Sequence, residues 1–144
     1  MTADDFPPIA PEWAKEIADS LGAEPFVRWL GLRFEDVRSG YARARLRGRA
    51  ELLQGDRVIA GGAIASTIDT VVIGAILSVL GSRPRRIATI DLHIHYLDGL
   101  GDEDLVAEAR IRRRGKTVVF VEIDARTDAG REIAHGEVSC RVSL

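Results

Sequence analysis

The longest apolar stretch of the chain, residues 62–80, predicts a buried helix. Apolar side chains fill almost every position of the stretch, and Gly81 ends it. A helix that is apolar nearly all round either lies in a protein core or crosses a membrane. Asp69 lies near its middle, where lipid would make a charge costly, and the chain has no second stretch of this kind. We therefore expect this helix to be buried against a sheet.

Alternating polar and apolar positions predict strands on both sides of this helix. Residues 32–37 begin to alternate, and Tyr41–Arg47 places three arginines on one face, which we expect to be solvated. After the helix, glycines and two hairpin-turn sequences, 114–116 and 128–130, separate further alternating segments. The strands predicted in this second half are Arg86–Leu97, Asp104–Arg113, Thr117–Arg126 and Glu132–Val142.

Two short helices are predicted near the N-terminus. Pro11 suits a first helical turn, and the amphipathic segment after it runs to Leu21, with Gly22 as its stop. Residues 25–30 predict one or two further helical turns that end at Gly31.

The order of these elements predicts an α+β fold in which a curved antiparallel sheet wraps around one long central helix, with a short N-terminal helix. The chain of 144 residues is long enough for one ordinary domain and too short for two. We expect a single domain over residues 1–144, in which residues 1–24 form an N-terminal extension and residues 25–144 the core.

Composition narrows the classes of function. Hydrophobic residues at 46% and charged residues at 29% are typical of a soluble globular protein. The 20 basic and 22 acidic residues give a net charge of −2, which offers no strong field for nucleic acid. The single cysteine, Cys140, cannot form an intrachain disulfide, and the N-terminus has neither a basic start nor an apolar segment. We expect a cytoplasmic protein without a membrane segment, in which Cys140 is a buried structural thiol.

Asp69 is the most informative residue, because burying an ionisable group without compensation costs several kcal/mol. Ser66, Asp69 and Thr70 share one stripe of the predicted helix, so a small polar patch interrupts an apolar surface. Such a patch is expected to face a cleft or a partner subunit. Two interpretations stay open here: a functional acid, or a structural acid satisfied by local hydroxyls or backbone amides.

Paired glycines, Gly61 and Gly62, stand where the helix begins. Unpaired N–H groups at a helix start, with the positive end of the helix dipole, suit a carbonyl oxygen that acquires negative charge. Glycines also let a backbone pass close to a ligand. A tight turn would explain the same pair, so the glycines alone are weak support for such a site.

Taken together, these segments resemble the phenylacetate-pathway type of hotdog thioesterases, from Pro25 to Val142. The family has a polar amide residue, a His-Gly-Gly turn, and an acidic residue nine positions after the histidine. Gln54, the segment Ala60-Gly61-Gly62 and Asp69 are similar, with the same spacing. The family's Thr/Ser-Val-Asp-Leu strand leading to Tyr-Leu resembles residues 89–97.

The resemblance implies a hotdog fold and hydrolysis of an acyl-CoA thioester. Gly61 N–H would polarise the thioester carbonyl, and Asp69 would act as general base on water or as nucleophile. Gln54 would orient water or the acyl group, and Thr89 would supply a hydroxyl that assists the acid. In the family these groups meet across a dimer interface, with Gln54 and Gly61 from one protomer and Asp69 and Thr89 from the other. This implies an obligatory homodimer, for which we expect a dimer of dimers. No metal or redox cofactor is needed, and coenzyme A is part of the substrate.

Ala60 stands where the family has its histidine, so the turn lacks an imidazole. The backbone donor and the acid are retained. A first alternative is therefore a non-catalytic protein that binds or senses acyl-CoA. A second is a hotdog hydratase or dehydratase, which requires a histidine that cooperates with the acid, and the predicted helix contains none.

Further candidates are basic, histidine and aromatic residues. Two basic clusters, residues 83–86 and 112–116, could hold coenzyme A phosphates through charge-assisted hydrogen bonds. His93 and His95 share a strand face, and we expect surface or subunit-contact histidines there rather than a metal site. Trp13, Phe26 and Trp29 are predicted to pack in the core, with the wall of an acyl tunnel as the alternative. The expected substrate-binding residues are Gly62, Ser66, Thr70, Arg114 and Lys116.

Overall fold

One helix lies against a six-stranded antiparallel sheet in the computed structural model, which describes residues 1–55 and 57–144. The helices are α1 (Pro11–Ala23), α2 (Pro25–Leu30) and α3 (Gly61–Leu80), and the strands are β1 (Leu32–Arg38), β2 (Tyr41–Leu46), β3 (Arg86–Tyr96), β4 (Leu105–Arg114), β5 (Val118–Arg126) and β6 (Glu132–Ser143). The strand order in the sheet is β1-β2-β4-β5-β6-β3. This confirms the predicted α+β architecture, which is the hotdog arrangement that the resemblance implies.

The central helix α3 is held in the core by apolar contacts with the sheet. Val71, Val72 and Ala75 are fully buried among side chains of the strands. Gly74 lets α3 lie close to β1, since a Cβ at this position would be 2.4 Å from the Phe34 ring. Although α3 is long and apolar enough to cross a membrane, it is the buried core helix of this fold, so no membrane span is indicated.

The end of α1 differs from the prediction. Gly22 does not stop the helix, which continues to Ala23 and ends before Pro25. Proline disfavours helical geometry in the residue before it, and Glu24 is accordingly extended, with φ −55° and ψ 131°. The stop is therefore set by Pro25 rather than by Gly22.

The outer face of the sheet carries the arginines of β2, as the alternation predicted. These side chains are more constrained than a solvated face implies, because Arg45 forms ion pairs with Glu35, Asp104 and Asp128. The sheet therefore packs its apolar face on α3, and ion pairs hold the charged side chains on its opposite face.

Strand β3 is an edge strand with an irregular register. Its pairing with β6 shifts between Thr89 and Asp91, so Ile90 forms a bulge. Simple alternation would place Thr89 and Tyr96 on opposite faces, since they are an odd number of residues apart. Both instead reach α3, because the bulge reverses the alternation between them.

Candidate active site

The carboxylate of Asp69 and the hydroxyl of Thr89 form a hydrogen-bonded pair between α3 and β3. Thr89 Oγ1 donates to Asp69 Oδ1 over 2.8 Å. Cys140, which lies opposite Thr89 on β6, has its Sγ 3.8 Å from the same hydroxyl. Burial raises the pKa of the Cys140 thiol, and the charge of Asp69 adds to this effect. Cys140 is buried, as predicted, and stays a neutral thiol beside the pair.

Asp69 opens onto a groove of about 530 Å³ between α3, the first two helices and the segment that leads into β3. Two members of the predicted polar patch on α3, Asp69 and Thr70, therefore face a cleft. Ile73 and Leu77 continue the groove along α3 from the carboxylate, and Leu21 and Val27 form the opposite wall. Because these four side chains are apolar, the groove suits an apolar ligand that begins at Asp69. Asp69, Thr89 and this groove are called the acid half-site below.

Gly61 and Gly62 form the first turn of α3, where N–H groups have no partner within the helix. Among the described residues, a Cβ added to Gly62 would meet nothing within 4 Å, and one on Gly61 would lie an ordinary 3.5 Å from the Tyr96 ring. Neither glycine has a positive φ. Packing among the residues that the structure describes therefore gives no reason for the paired glycines, whereas close approach by a ligand or a second protomer would.

Tyr96, at the end of β3, contacts this turn and was not among the site residues predicted from the sequence. Its hydroxyl donates to the carbonyl oxygen of Gly61 over 3.0 Å. Tyr96 and Gln54 both line a second groove, of about 580 Å³, that opens beside Gly61 and Gly62. Simple alternation could not place Tyr96 beside Gly61, because the bulge in β3 changes the face on which Tyr96 lies. Its match to the Tyr-Leu segment of the resembling family was the one sign in the sequence that it could belong to the site. Gln54, Gly61, Gly62 and Tyr96 are called the amide half-site below.

The two half-sites do not meet within one protomer. Asp69 follows Gly61 by eight residues on one helix, a separation of about 12 Å along its axis. A group bonded to the N–H of Gly61 is therefore beyond direct reach of the Asp69 carboxylate of the same chain.

Ser66 and Thr70, two of the expected binding residues, bond back to their own helix. Ser66 Oγ donates to Gly62 O over 2.8 Å, and Thr70 Oγ1 donates to Ser66 O over 2.7 Å. Their hydroxyl oxygens remain available as acceptors. Thr70 lines the groove of the acid half-site together with Asp69.

Both predicted basic clusters lie near the C-terminal end of α3. Arg114 Nη1 donates to the carbonyl oxygen of Val79 over 2.9 Å, so its side chain caps this end of the helix. Lys116 is exposed in the adjacent hairpin. Arg85 and Arg86 line the far end of the groove that starts at Asp69. The groove thus runs from an acid to a cationic surface.

The histidines lie on the outer face of the sheet, away from both half-sites. The Nε2 atoms of His93 and His95 are 3.3 Å apart, and His135 Nδ1 is 2.9 Å from Asp124 Oδ1. Within residues 1–55 and 57–144, no group of three or more histidine, cysteine or acidic side chains could hold a metal ion.

The prediction of core packing is right for one aromatic residue and wrong for two. Trp13 packs against the core and donates from Nε1 to the Leu77 carbonyl oxygen over 3.1 Å. Phe26 and Trp29 are 56% and 60% exposed and stack on each other. Because α2 is short, Val27 and Leu30 take its inward positions. Phe26 lines the groove beside Asp69, which was the alternative expected for it.

Comparison with known proteins relates the chain to thioester hydrolases. Residues 57–134 match the thioesterase superfamily. A relative from Halobacterium salinarum, named "Putative esterase", is 35% identical over 127 residues, which are 79% of this chain and 82% of that protein. Among solved structures, S. sahachiroi AziG is 27% identical with a TM-score of 0.77, over 84% of this chain and 98% of that chain. The E. coli PaaI protein of the phenylacetic acid degradation operon has a TM-score of 0.82 over 92% and 95%, and its 19% identity shows the fold alone.

Proposed function

Because the chain belongs to the thioesterase superfamily, we propose that it hydrolyses an acyl-CoA thioester at a site shared by two protomers. Membership of the superfamily and the esterase relative support hydrolysis of thioesters in general. The observation that carries the finer proposal is the Asp69–Thr89 pair at the start of an apolar groove. One protomer contributes its acid half-site, and the other contributes its amide half-site.

The proposed reaction uses groups of this chain alone. The N–H groups at the start of α3 bind the thioester carbonyl oxygen and stabilise the negative charge that develops on it. Asp69 takes a proton from water that attacks the carbonyl carbon, or attacks this carbon itself and forms an anhydride that water then cleaves. The C–S bond breaks, and coenzyme A leaves as a thiolate that gains a proton. Gln54, beside the paired glycines, would orient the water or the acyl group. No metal or redox cofactor takes part in this proposal.

The exposed edge of β3 supports the proposed dimer. Among the described strands β3 pairs only with β6, and its side chains Ile90 and Leu92 are 59% and 36% exposed. A long exposed edge offers a row of unpaired N–H and C=O groups with which a strand of another chain can pair. Antiparallel pairing of two copies about an axis between Leu92 and His93 would set Thr89 opposite Tyr96 of the second copy. The acid half-site of one protomer would then lie beside the amide half-site of the other.

The groove of the acid half-site is the proposed binding site of the acyl group. A thioester whose carbonyl carbon lies at Asp69 can direct its apolar acyl chain along Ile73 and Leu77. The volume of about 530 Å³ is within the range of ligand pockets and admits an aromatic or medium-length acyl group. The acyl chain and coenzyme A leave the carbonyl carbon on opposite sides, so they cannot share this groove. We propose that Arg114, Lys116 and the neighbouring arginines bind the coenzyme A phosphates at the protein surface, outside the part of the groove that the acyl chain fills.

Two further proposals concern assembly and compartment. The charged outer face of the sheet, with His93 and His95, is the surface that we propose for pairing two dimers. A buried, neutral Cys140 fits the reducing cytoplasm that we propose as its compartment.

Thiol release from a panel of short, medium, long and aromatic acyl-CoAs tests the proposal. We expect wild-type protein to hydrolyse at least one member and Asp69→Ala to lose about 100-fold or more in turnover. Asp19→Ala is the matched control, because Asp19 is an exposed carboxylate on a helix, α1, and lies outside both half-sites and outside β3.

A specific result would favour the alternative function. Ala60 removes the imidazole that the related thioesterases have in this turn, so the same site could hold acyl-CoA without cleaving it. Binding of acyl-CoA to wild-type protein without thiol release would overturn hydrolysis and establish a binding or sensing protein.

A further inference from the structure

We propose that Tyr96 is a positioning residue that holds the first peptide units of α3 in the orientation needed to bind the thioester oxygen. This inference rests on the proposed function, because it assigns a role within the amide half-site.

The contact between Tyr96 and the turn involves both parts of the side chain. The hydroxyl donates to the Gly61 carbonyl oxygen over 3.0 Å, and the ring lies beside the Gly61 backbone, 3.5 Å from where a Cβ would be. The backbone of Tyr96 is fixed by its pairing with Ala134, and the next residue, Leu97, donates from N to Ile133 O over 2.8 Å. The hydroxyl is therefore presented to the turn from a rigid strand.

The two amide donors of the turn belong to different peptide units. Gly61 N–H shares a peptide with the Ala60 carbonyl, which accepts hydrogen bonds from Ala63 N and Ile64 N within the helix. Gly62 N–H shares a peptide with the Gly61 carbonyl, to which Tyr96 donates. Because a peptide unit is planar, a hydrogen bond that fixes the carbonyl also fixes the N–H. Such a bond also polarises the peptide and strengthens its donor.

The turn needs such a contact because its own sequence is flexible. Two successive glycines have more conformational freedom than any other pair of residues, and an oxyanion site stabilises charge only when its donors are already oriented. Ala60 offers no side chain that could hold the turn. The side chain of Tyr96 reaches the turn because the bulge at Ile90 directs it to the inner face of the sheet.

Tyr96→Phe tests the inference, because it removes the hydroxyl and keeps the ring. Loss of one hydrogen bond that orients the donor should lower kcat about tenfold, with KM changed by less than about twofold. Half of the Tyr96 surface is exposed, so the thermal unfolding midpoint should stay unchanged. Tyr41→Phe is the matched control, because the hydroxyl of this second tyrosine bonds Glu108 on the outer side of the sheet.

The outcomes separate this inference from the proposed function. If wild-type protein hydrolyses acyl-CoA and Tyr96→Phe keeps its kcat within about twofold, the inference is overturned while hydrolysis stands. A fall in the thermal unfolding midpoint of Tyr96→Phe that accounts for its lost activity would also overturn it, since the cause would then be general destabilisation. If wild-type protein shows no turnover, hydrogen exchange of the amides of residues 60–64 decides instead. Faster exchange of these amides in Tyr96→Phe than in wild type supports the positioning role of Tyr96, and equal exchange overturns it.

Discussion

Thr89 offers a sharp perturbation, because its hydroxyl makes a single well-defined contact with the candidate acid. Thr89→Val keeps the shape of the side chain and removes the 2.8 Å hydrogen bond to Asp69 Oδ1. A hydrogen bond to a charged group contributes roughly 1.5–3 kcal/mol, which corresponds to about 10- to 150-fold if it is needed in the transition state. Because Thr89 is exposed in the protomer, we expect the free energy of unfolding to change by less than about 0.5 kcal/mol.

The assay is thiol release from the best acyl-CoA of the panel, measured for wild type, Thr89→Val and Thr89→Ser. Thr89→Val should lower kcat by about 10- to 150-fold, and Thr89→Ser should recover most of the loss by restoring the donor. A kcat for Thr89→Val within about twofold of wild type would refute the reasoning. So would a Thr89→Ser variant as slow as Thr89→Val, because the methyl group rather than the hydroxyl would then matter.

Three further predictions concern the groove, the thiol and acid stability. Ile73→Trp should shorten the acyl chains accepted by filling the groove next to Asp69, while Ile73→Ala should extend them; an unchanged profile in both variants would contradict this. Cys140, the only cysteine, should react with a disulfide reagent at pH 8 only after unfolding, because burial shields it and raises its pKa; rapid reaction of folded protein would argue against this. Burial tends to raise the pKa of Asp124, but hydrogen bonds with His135 and Arg110 lower it overall below its ordinary value. The contribution of Asp124 to stability should thus be complete above about pH 4 and be lost as pH falls through the lowered pKa. Asp124→Asn should therefore weaken the dependence of urea unfolding on pH in the acid range. An equal pH dependence in wild type and variant would count against this prediction.

Much of the fold was predictable because periodicity and turn residues agree along the chain. The apolar run predicted α3 to within one residue of its start, since Gly61 and Gly81 mark the two ends. The four strands after α3 were predicted with bounds that differ by one residue at most, because glycine-containing turns separate them. The end of α1 was missed, because the steric effect of Pro25 on Glu24 sets it and Gly22 does not.

The candidate site was predictable only in part. Asp69 is recognisable because it is the single charge in an apolar helix, and Gly61 because it stands where that helix begins. Tyr96 was not, because the bulge at Ile90 changes which face of the sheet it occupies, and a bulge leaves no periodic signal in one sequence. Phe26 was assigned to the core because aromatic residues usually bury large areas, and the short α2 leaves it on the surface.

The central claim is that one protomer supplies Asp69 and another supplies Gly61, and subunit mixing tests it most directly. Asp69→Asn removes the acid, and Gly61→Pro removes one N–H. Proline is compatible with the first position of a helix, and Ala60 already has the extended backbone, φ −57° and ψ 135°, that proline requires before it.

Each variant alone should be almost inactive, because every site in its homodimer lacks one group. Equal mixing with exchange of protomers gives about half heterodimers, each with one intact site, and therefore about 25% of wild-type activity. Recovery of about a quarter of wild-type thiol release is the result that we predict. A mixture no more active than the separate variants, with exchange of protomers verified, would contradict the shared site.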